Sequence, residues 1–186
     1  MKFSYKKLAM GVLASVMLAG AASAGELLVY SSTDADNLKY YMDNFQKDNP
    51  DIKVKVVRES TGTMAAKMMA EKDNPQADVL FEMAATVALN METQGMFHPY
   101  TPKGMDKIDQ RYVDKEGEVN WVGNYGWAGC ICWNTVEAKK LGLPKPKSWA
   151  DLTNPVYKGL ISMPNPNSSG TGFLDVSSWI QVMGED

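Results

Sequence analysis

The sequence predicts an α/β fold built on a parallel β-sheet. Between residues 26 and 95, three short apolar segments alternate with three segments of helical periodicity. The apolar segments lie at 26–31, 52–58 and 77–82. This alternation is typical of parallel sheets, because two parallel strands need a long connection that is usually a helix.

Each element of this first unit follows from its own pattern. The segment at 26–31, ELLVYS, is short and apolar, which favours a buried strand. The segment at 35–49 is predicted to be an amphipathic helix, because its apolar residues are spaced at i, i+3, i+4 and i+7. Those residues are Leu38, Tyr41, Met42 and Phe45. The segment at 52–58, IKVKVVR, alternates with period two and predicts a strand.

The next elements complete the first unit. A helix with an alanine and methionine face is predicted at 61–73. The apolar segment at 77–82, ADVLFE, is predicted to be a strand, and the helix that follows it is expected to end near Gly95. Residues 96–120 are polar, with one weak helical segment around 105–113, and are predicted to connect two units.

A second α/β unit is predicted beyond this connector. The segments at 125–134 and 159–164 are apolar and are predicted to be strands. A short helix between them has two lysines in its last turn and Gly142 as its C-cap. A single helical turn follows, in which Ser148 and Asp151 form a capping-box pair.

A last helix is predicted at 171–184. The resulting division is an N-terminal lobe at 25–123 and a partial second lobe at 124–186. Two strands and three short helices scarcely complete a lobe, since an independently stable sheet needs three or more strands. We therefore expect the sequence to be a fragment of a longer protein or the product of an early stop.

The first 24 residues have the pattern of a secretory signal peptide. Lys2, Lys6 and Lys7 precede an apolar run that is too short to span a bilayer comfortably. An Ala-Ser-Ala motif then predicts cleavage after Ala24. The alternative is an uncleaved membrane anchor. Cleavage predicts a mature protein that begins at Gly25 and is located in the periplasm.

Net charge argues against nucleic-acid binding, and cysteine spacing argues against a disulfide bond. The formal net charge is −3, and loss of the three signal-peptide lysines makes it −6. Such an acidic protein is not expected to bind nucleic acid, which needs a basic surface. Cys130 and Cys132 lie two residues apart in a predicted strand, so two buried thiols are favoured over a disulfide bond of poor geometry.

The sequence contains no familiar catalytic constellation, and we predict that the protein is not an enzyme. It has no G-x-S-x-G motif, and its SSGTG segment lacks the lysine of a P-loop. His98 is the only histidine, so a nucleophile–base pair and a metal site are both disfavoured. A secreted hydrolase is therefore the weakest hypothesis, and no cofactor is predicted.

Small polar residues cluster where the predicted strands end. In open parallel sheets, ligands bind beyond the carboxyl ends of the strands. Each polar loop leads into a helix N-terminus, where unpaired N–H groups and a partial positive charge favour anions. The candidate ligand-binding residues are Tyr30, Ser31, Ser32, Ser60, Thr61, Gly62, Glu82, Ala84, Ser168, Ser169, Gly170, Thr171 and Gly172. The alternative for each hydroxyl is a simple helix cap.

Several segments resemble one known family. They are LLVYSS, ESTGT, ADVLFEMAA, GWAGCICWNT and PKSWADLTNPVYKGLISMPNPNSSGTGF. Together they resemble the type II periplasmic solute-binding proteins of ABC transporters, and most closely the members that bind 2-aminoethylphosphonate. The resemblance implies two lobes with parallel-sheet cores, of which the second is incomplete here. It also implies a monomer that closes on a small anionic solute and delivers it to a permease in the inner membrane.

The resemblance leaves the ligand open between three classes. A phosphonate such as 2-aminoethylphosphonate is the first hypothesis, and Glu82 would then meet its ammonium group or be merely solvated. Ferric-ion and hexose-phosphate binders are similar, and they are the alternatives. Iron requires anionic ligands such as phenolates and carboxylates. Tyr41, beside Tyr40, lies on the apolar face of its predicted helix, which suits packing better than a metal site.

Overall fold

The protein is described by a computed structural model over residues 25–115 and 117–184. The signal peptide predicted at 1–24 lies outside the described residues. Within the described ranges, no helix is both long enough and apolar enough to cross a membrane.

A three-stranded parallel sheet forms the centre of the first unit. Its strands are β1 (Gly25–Ser31), β2 (Ile52–Arg58) and β3 (Val79–Phe81), arranged in the order β2-β1-β3. β1 pairs with β2 along its whole length and with β3 at its carboxyl end. The predicted α/β fold with a parallel sheet is therefore confirmed, although β3 is shorter than predicted.

The helices follow the predicted order along the chain. The first unit contains α1 (Ala35–Asp48), α2 (Thr61–Ala70) and α3 (Ala85–Thr93), and the second contains α4 (Thr135–Leu141) and α5 (Gly170–Met183). Short 3₁₀ turns occupy Met105–Lys107, Gln110–Tyr112, Ala150–Thr153 and Pro155–Tyr157. The weak helix predicted around 105–113 is thus two separate turns.

The buried side chains of the first unit lie mainly in β1 and in the helices beside it. Val29 and Tyr30 of β1 are each 2% exposed, Met64 of α2 is fully buried, and Met91 of α3 is 1% exposed. Burying a side chain of this size stabilises the fold by about 1.5–3 kcal/mol. Leu38 is the buried residue of α1, so the predicted apolar stripe of that helix contacts the core mainly at one position.

The strands predicted at 125–134 and 159–164 are wrong. Neither segment forms the hydrogen-bonded ladder that defines a strand, because no neighbouring strand in the described residues pairs with it. Cys130 and Cys132 are free and exposed, so the predicted burial of the two thiols is also wrong. Both side chains lie at the surface among the described residues.

Local side-chain hydrogen bonds set the helix ends of the second unit. The side-chain oxygen of Asn134 accepts hydrogen bonds from two first-turn amides of α4. Gly142 ends that helix with φ of 64°, the left-handed conformation that favours glycine. Ser148 and Asp151 each accept a hydrogen bond from the other's backbone amide, which confirms the predicted capping box.

Candidate functional site

A cavity of about 230 Å³ lies between the first unit and the start of α5. Its walls come from the start of α2, from one face of α3, from the loop that leads into α5 and from the first turn of α5. The lining residues are Thr61, Gly62, Ala65, Thr86, Val87, Asn90, Met91, Pro166, Asn167, Ser169, Gly170 and Phe173. None of these described residues is charged, so an anion in the cavity would be held by neutral donors.

Close backbone contact joins the start of α2 to the loop before α5. The amide of Gly62 donates to the carbonyl oxygen of Ser168 at 3.0 Å. A Cβ atom on Gly62 would lie 2.2 Å from the carbonyl oxygen of Asn167, so this approach requires glycine. Ser60 precedes α2 and is exposed, and its hydroxyl pairs with that of Thr63 at 3.0 Å instead of capping a backbone amide.

The start of α5 forms the other side of this contact. Ser169 is the N-cap, and its Oγ accepts a hydrogen bond from the amide of Gly172 at 3.3 Å. A Cβ atom on Gly170 would lie 2.7 Å from Oγ1 of Thr61, and one on Gly172 would lie 2.4 Å from a main-chain carbonyl oxygen. The two glycines therefore allow α5 to begin in close contact with its surroundings. Thr171 lies between them with an exposed side chain.

A pair of hydroxyl groups connects the end of β1 to the cavity. Ser32 follows β1, and its Oγ donates to the carbonyl oxygen of Glu82 at 3.0 Å. The hydroxyl of Thr61 donates to Oγ of Ser32 at 3.2 Å. Because Thr61 lines the cavity, Ser32 affects the cavity through Thr61 without forming part of its wall.

The last two residues of β1 face the interior of the first unit. The Tyr30 hydroxyl donates to the carboxylate of Glu71 at 3.0 Å, and the Lys67 ammonium lies 5.2 Å from the ring centroid. The hydrogen bond between Lys67 and Glu71 lowers the pKa of the Glu71 carboxyl and raises the pKa of the lysine. Ser31 is fully buried, and its Oγ accepts from the amide of Thr33 at 3.2 Å.

The loop after β3 has an unusual backbone conformation. Glu82 has φ of 55°, the one positive value among the described non-glycine residues. This conformation costs about 1–3 kcal/mol and is frequent at functional sites. The Glu82 carboxylate accepts a hydrogen bond from the side-chain amide of Asn124 at 2.8 Å, which ties the end of β3 to the start of the second unit. Ala84 precedes α3, is half-buried, and has no side-chain group to cap that helix.

The structure brings four of the predicted ligand-binding residues together around the cavity. They are Thr61, Gly62, Ser169 and Gly170. The others lie near this edge of the sheet or in the loop but do not line the cavity: Tyr30, Ser31, Ser32, Ser60, Glu82, Ala84, Ser168, Thr171 and Gly172. The four that meet come from two segments that are distant in the sequence.

Sequence reasoning missed the apolar part of the wall. Ala65 follows Thr61 by one helical turn, and Phe173 follows Ser169 in the same way. Residues four apart lie on one face of a helix. Both residues could have been found from the sequence, because each lies one helical turn after a polar residue that was predicted to bind ligand. The α3 contribution, from Thr86 to Met91, has no comparable signal.

The cavity combines neutral hydrogen-bond donors with an apolar wall. The first-turn amides of a helix have no intrahelical acceptor, and the helix start has a partial positive charge. Neither Ser60 nor Ala84 caps the helix that follows it. This arrangement suits an anionic group on a small organic molecule. Within the described ranges, no three His, Cys, Asp or Glu side chains are grouped closely enough to hold a metal ion.

Comparison with known families places the chain in a family. The family model described as bacterial extracellular solute-binding protein matches residues 31–186. The chain belongs to this family. The family-level resemblance predicted from the sequence is thereby confirmed, and one relative is a probable ABC transporter periplasmic-binding protein.

Three relatives illustrate the position of this solute-binding protein within the family. It is 30% identical over 203 residues to an uncharacterized protein of Haemophilus influenzae, with 100% of this chain and 55% of the relative covered. It is 29% identical over 148 residues to a probable ABC transporter periplasmic-binding protein of Sinorhizobium fredii, with 78% of this chain and 40% of the relative covered. A similar solved structure is that of AfuA of Actinobacillus pleuropneumoniae, a periplasmic binding protein with exogenous fructose-6-phosphate bound. The TM-score is 0.76 at 31% identity, and the match covers 87% of this chain and 51% of AfuA. The chain therefore spans about half the length of these relatives.

Proposed function

We propose that this chain forms a solute cleft of the periplasmic component of an ABC importer. The observation that carries the proposal is the meeting of the starts of α2 and α5 at one cavity, where Gly62 and Gly170 allow close backbone contact. In this proposal, residues 25–123 and 124–186 belong to different lobes, and the two lobes close on the solute. The protein acts as a monomer. The closed form would deliver the solute to an inner-membrane permease, and residues 1–24 would direct export.

The cavity suits a phosphoryl or phosphonyl group on a small organic solute. The related protein AfuA was solved with fructose-6-phosphate bound, which supports a sugar phosphate as the first candidate. The second candidate is 2-aminoethylphosphonate, which offers the same type of anion. Its ammonium group would need Glu82, whose carboxylate already accepts a hydrogen bond from Asn124. This existing bond favours the sugar phosphate.

Isothermal titration calorimetry tests the proposal on the wild-type chain. The ligands are fructose 6-phosphate, 2-aminoethylphosphonate and unmodified fructose. We expect the sugar phosphate to bind more tightly than the aminophosphonate, and fructose to give no binding heat, because the phosphoryl group provides most of the hydrogen bonds. Equal affinities for fructose and fructose 6-phosphate would overturn the role of the phosphoryl group.

A serine substitution tests the loop before α5. Ser169→Ala should weaken phosphate-ester binding about tenfold to a hundredfold, because a charged oxygen loses one donor worth about 1.5–3 kcal/mol. Ser177→Ala is the matched control, since Ser177 lies in the same helix and its hydroxyl bonds to the carbonyl oxygen of Leu174. Ser169 is also the N-cap, so its loss should cost about 1 kcal/mol of stability as well. A lowered melting temperature with unchanged affinity would leave Ser169 as a cap alone.

A further inference from the structure

The hydrogen-bond chain beside the cavity has a fixed direction. A serine hydroxyl has one proton, and a carbonyl oxygen can only accept. Oγ of Ser32 lies 3.0 Å from the carbonyl oxygen of Glu82, so the Ser32 proton is committed to that carbonyl. The hydroxyl of Thr61, 3.2 Å from Ser32 Oγ, must then provide the proton of the second bond. The backbone of the Glu82 loop thus determines which way the Thr61 hydroxyl points.

This direction decides what Thr61 offers to a ligand. With its one proton committed to Ser32, Oγ1 of Thr61 has only lone pairs for any other partner. The same oxygen would lie 2.7 Å from a Cβ atom on Gly170, so it faces the start of α5 at the cavity wall. Thr61 is therefore a hydrogen-bond acceptor in the cavity.

Ser169, at the start of α5, has the reverse polarity. Its Oγ accepts the amide proton of Gly172 at 3.3 Å, and this bond leaves the Ser169 hydroxyl proton available. The cavity consequently has a donor on the α5 side and an acceptor on the α2 side. A fully ionised oxyanion satisfies the donor but places its negative oxygens against the lone pairs of Thr61.

We propose that Thr61, oriented by Ser32, is a specificity-determining residue that selects ligands carrying a hydrogen-bond donor next to their anionic group. A singly protonated phosphoryl group or a neighbouring hydroxyl meets this requirement. An anion of the same shape without a proton does not. The inference rests on the proposed function, because it concerns ligand choice at the same cavity.

Inorganic phosphate and sulfate provide the test, because they have similar size and shape. Near neutral pH phosphate keeps at least one proton, whereas sulfate keeps none. Calorimetric titration of the wild-type chain should give an affinity for phosphate at least about tenfold higher than for sulfate, the scale of one hydrogen bond to a charged group. Ser32→Ala removes the acceptor of the Thr61 proton, so that Thr61 can donate to the anion. In this variant the affinity for sulfate should rise, and the ratio of phosphate affinity to sulfate affinity should fall towards one.

Two further variants guard against a merely structural effect. Thr61→Val keeps the shape of the side chain but removes its oxygen, so the preference for phosphate should disappear, with a smaller gain in sulfate affinity than in Ser32→Ala because valine cannot donate to the anion. Ser177→Ala, whose hydroxyl bonds within α5, should keep the wild-type ratio. A wild-type ratio retained in both Ser32→Ala and Thr61→Val would overturn the inference while leaving the proposed function intact. Failure of the wild-type chain to bind phosphate, sulfate and fructose 6-phosphate would overturn the proposed function and the inference with it.

Discussion

Substitution of Gly62 by alanine tests the contact on which the cavity depends. A Cβ atom at this position would lie 2.2 Å from the carbonyl oxygen of Asn167 and 2.8 Å from Cα of Ser168. Favourable contacts between carbon atoms have separations of about 3.5–4.0 Å. Both clashing atoms belong to the main chain and cannot rotate away, so the loop before α5 must move as a whole.

The cost of that movement follows from the contacts that it breaks. Overpacking in a tight site costs about 1–3 kcal/mol. Separation of the loop also breaks the 3.0 Å hydrogen bond from the Gly62 amide to Ser168, which is worth about 0.5–1.5 kcal/mol. Alanine recovers about 0.5–1 kcal/mol through its better helix propensity. The expected net loss for Gly62→Ala is therefore about 0.5–4 kcal/mol, with a midpoint of about 2 kcal/mol.

Urea denaturation followed by circular dichroism measures this loss, with Gly126→Ala as the matched control. Gly126 has open space around its Cβ position and does not have a left-handed backbone, so its substitution should change stability by less than about 0.5 kcal/mol. Calorimetry on the same proteins should show weaker binding of fructose 6-phosphate by Gly62→Ala alone. If Gly62→Ala proves as stable as Gly126→Ala, the loop yields freely and the contact does not hold the cavity in shape.

Two other predictions concern the interior of each unit. The pKa of Glu71 is lowered by its hydrogen bond from Lys67, so its contribution to stability is present above the ordinary glutamate pKa of about 4.3 and is lost as the pH falls through the lowered value. Glu71→Gln should therefore be less stable than wild type at neutral pH and equally stable in strong acid, and a persistent difference in acid melts would contradict this. Gly129→Ala would place a Cβ atom 2.2 Å from Oδ1 of Asp175, a buried oxygen without a hydrogen-bond partner in the described part of the chain. It should cost about 1–3 kcal/mol, and a double-mutant cycle with Asp175→Ala should recover part of the loss, whereas strictly additive effects would exclude the clash.

The first unit could be predicted from the sequence because its signals are local. The period-two pattern at 52–58 and the helical spacing at 35–49 require no knowledge of distant residues. The segments at 125–134 and 159–164 have equally apolar patterns, but a strand also needs a partner elsewhere in the chain. Pairing is a property of the whole fold, and the pattern of one segment does not contain it.

Part of the candidate site could likewise be predicted from local sequence patterns, and part depends on contacts between distant segments. Glycines and hydroxyls at helix starts are visible in the sequence, and Gly62 and Gly170 do lie at the cavity. The last three residues of β1 are all buried, and the partner of each depends on how distant segments pack, as in the hydrogen bond from the Tyr30 hydroxyl to Glu71. The acceptor role of Thr61 depends on a carbonyl oxygen from the loop after β3, a contact between segments that no local pattern predicts.

The position of β1 in the sheet limits how the N-terminal boundary of the protein can be altered. β1 comes first among the described strands, yet it lies between β2 and β3, which do not pair with each other. An expressed version that starts beyond Ser31, or a protease that trims to that point, removes both ladders in one step. The remaining strands would then present unpaired backbone groups on every edge, which is the condition that favours aggregation. The N-terminal boundary of an expressed version therefore has to lie at or before Gly25.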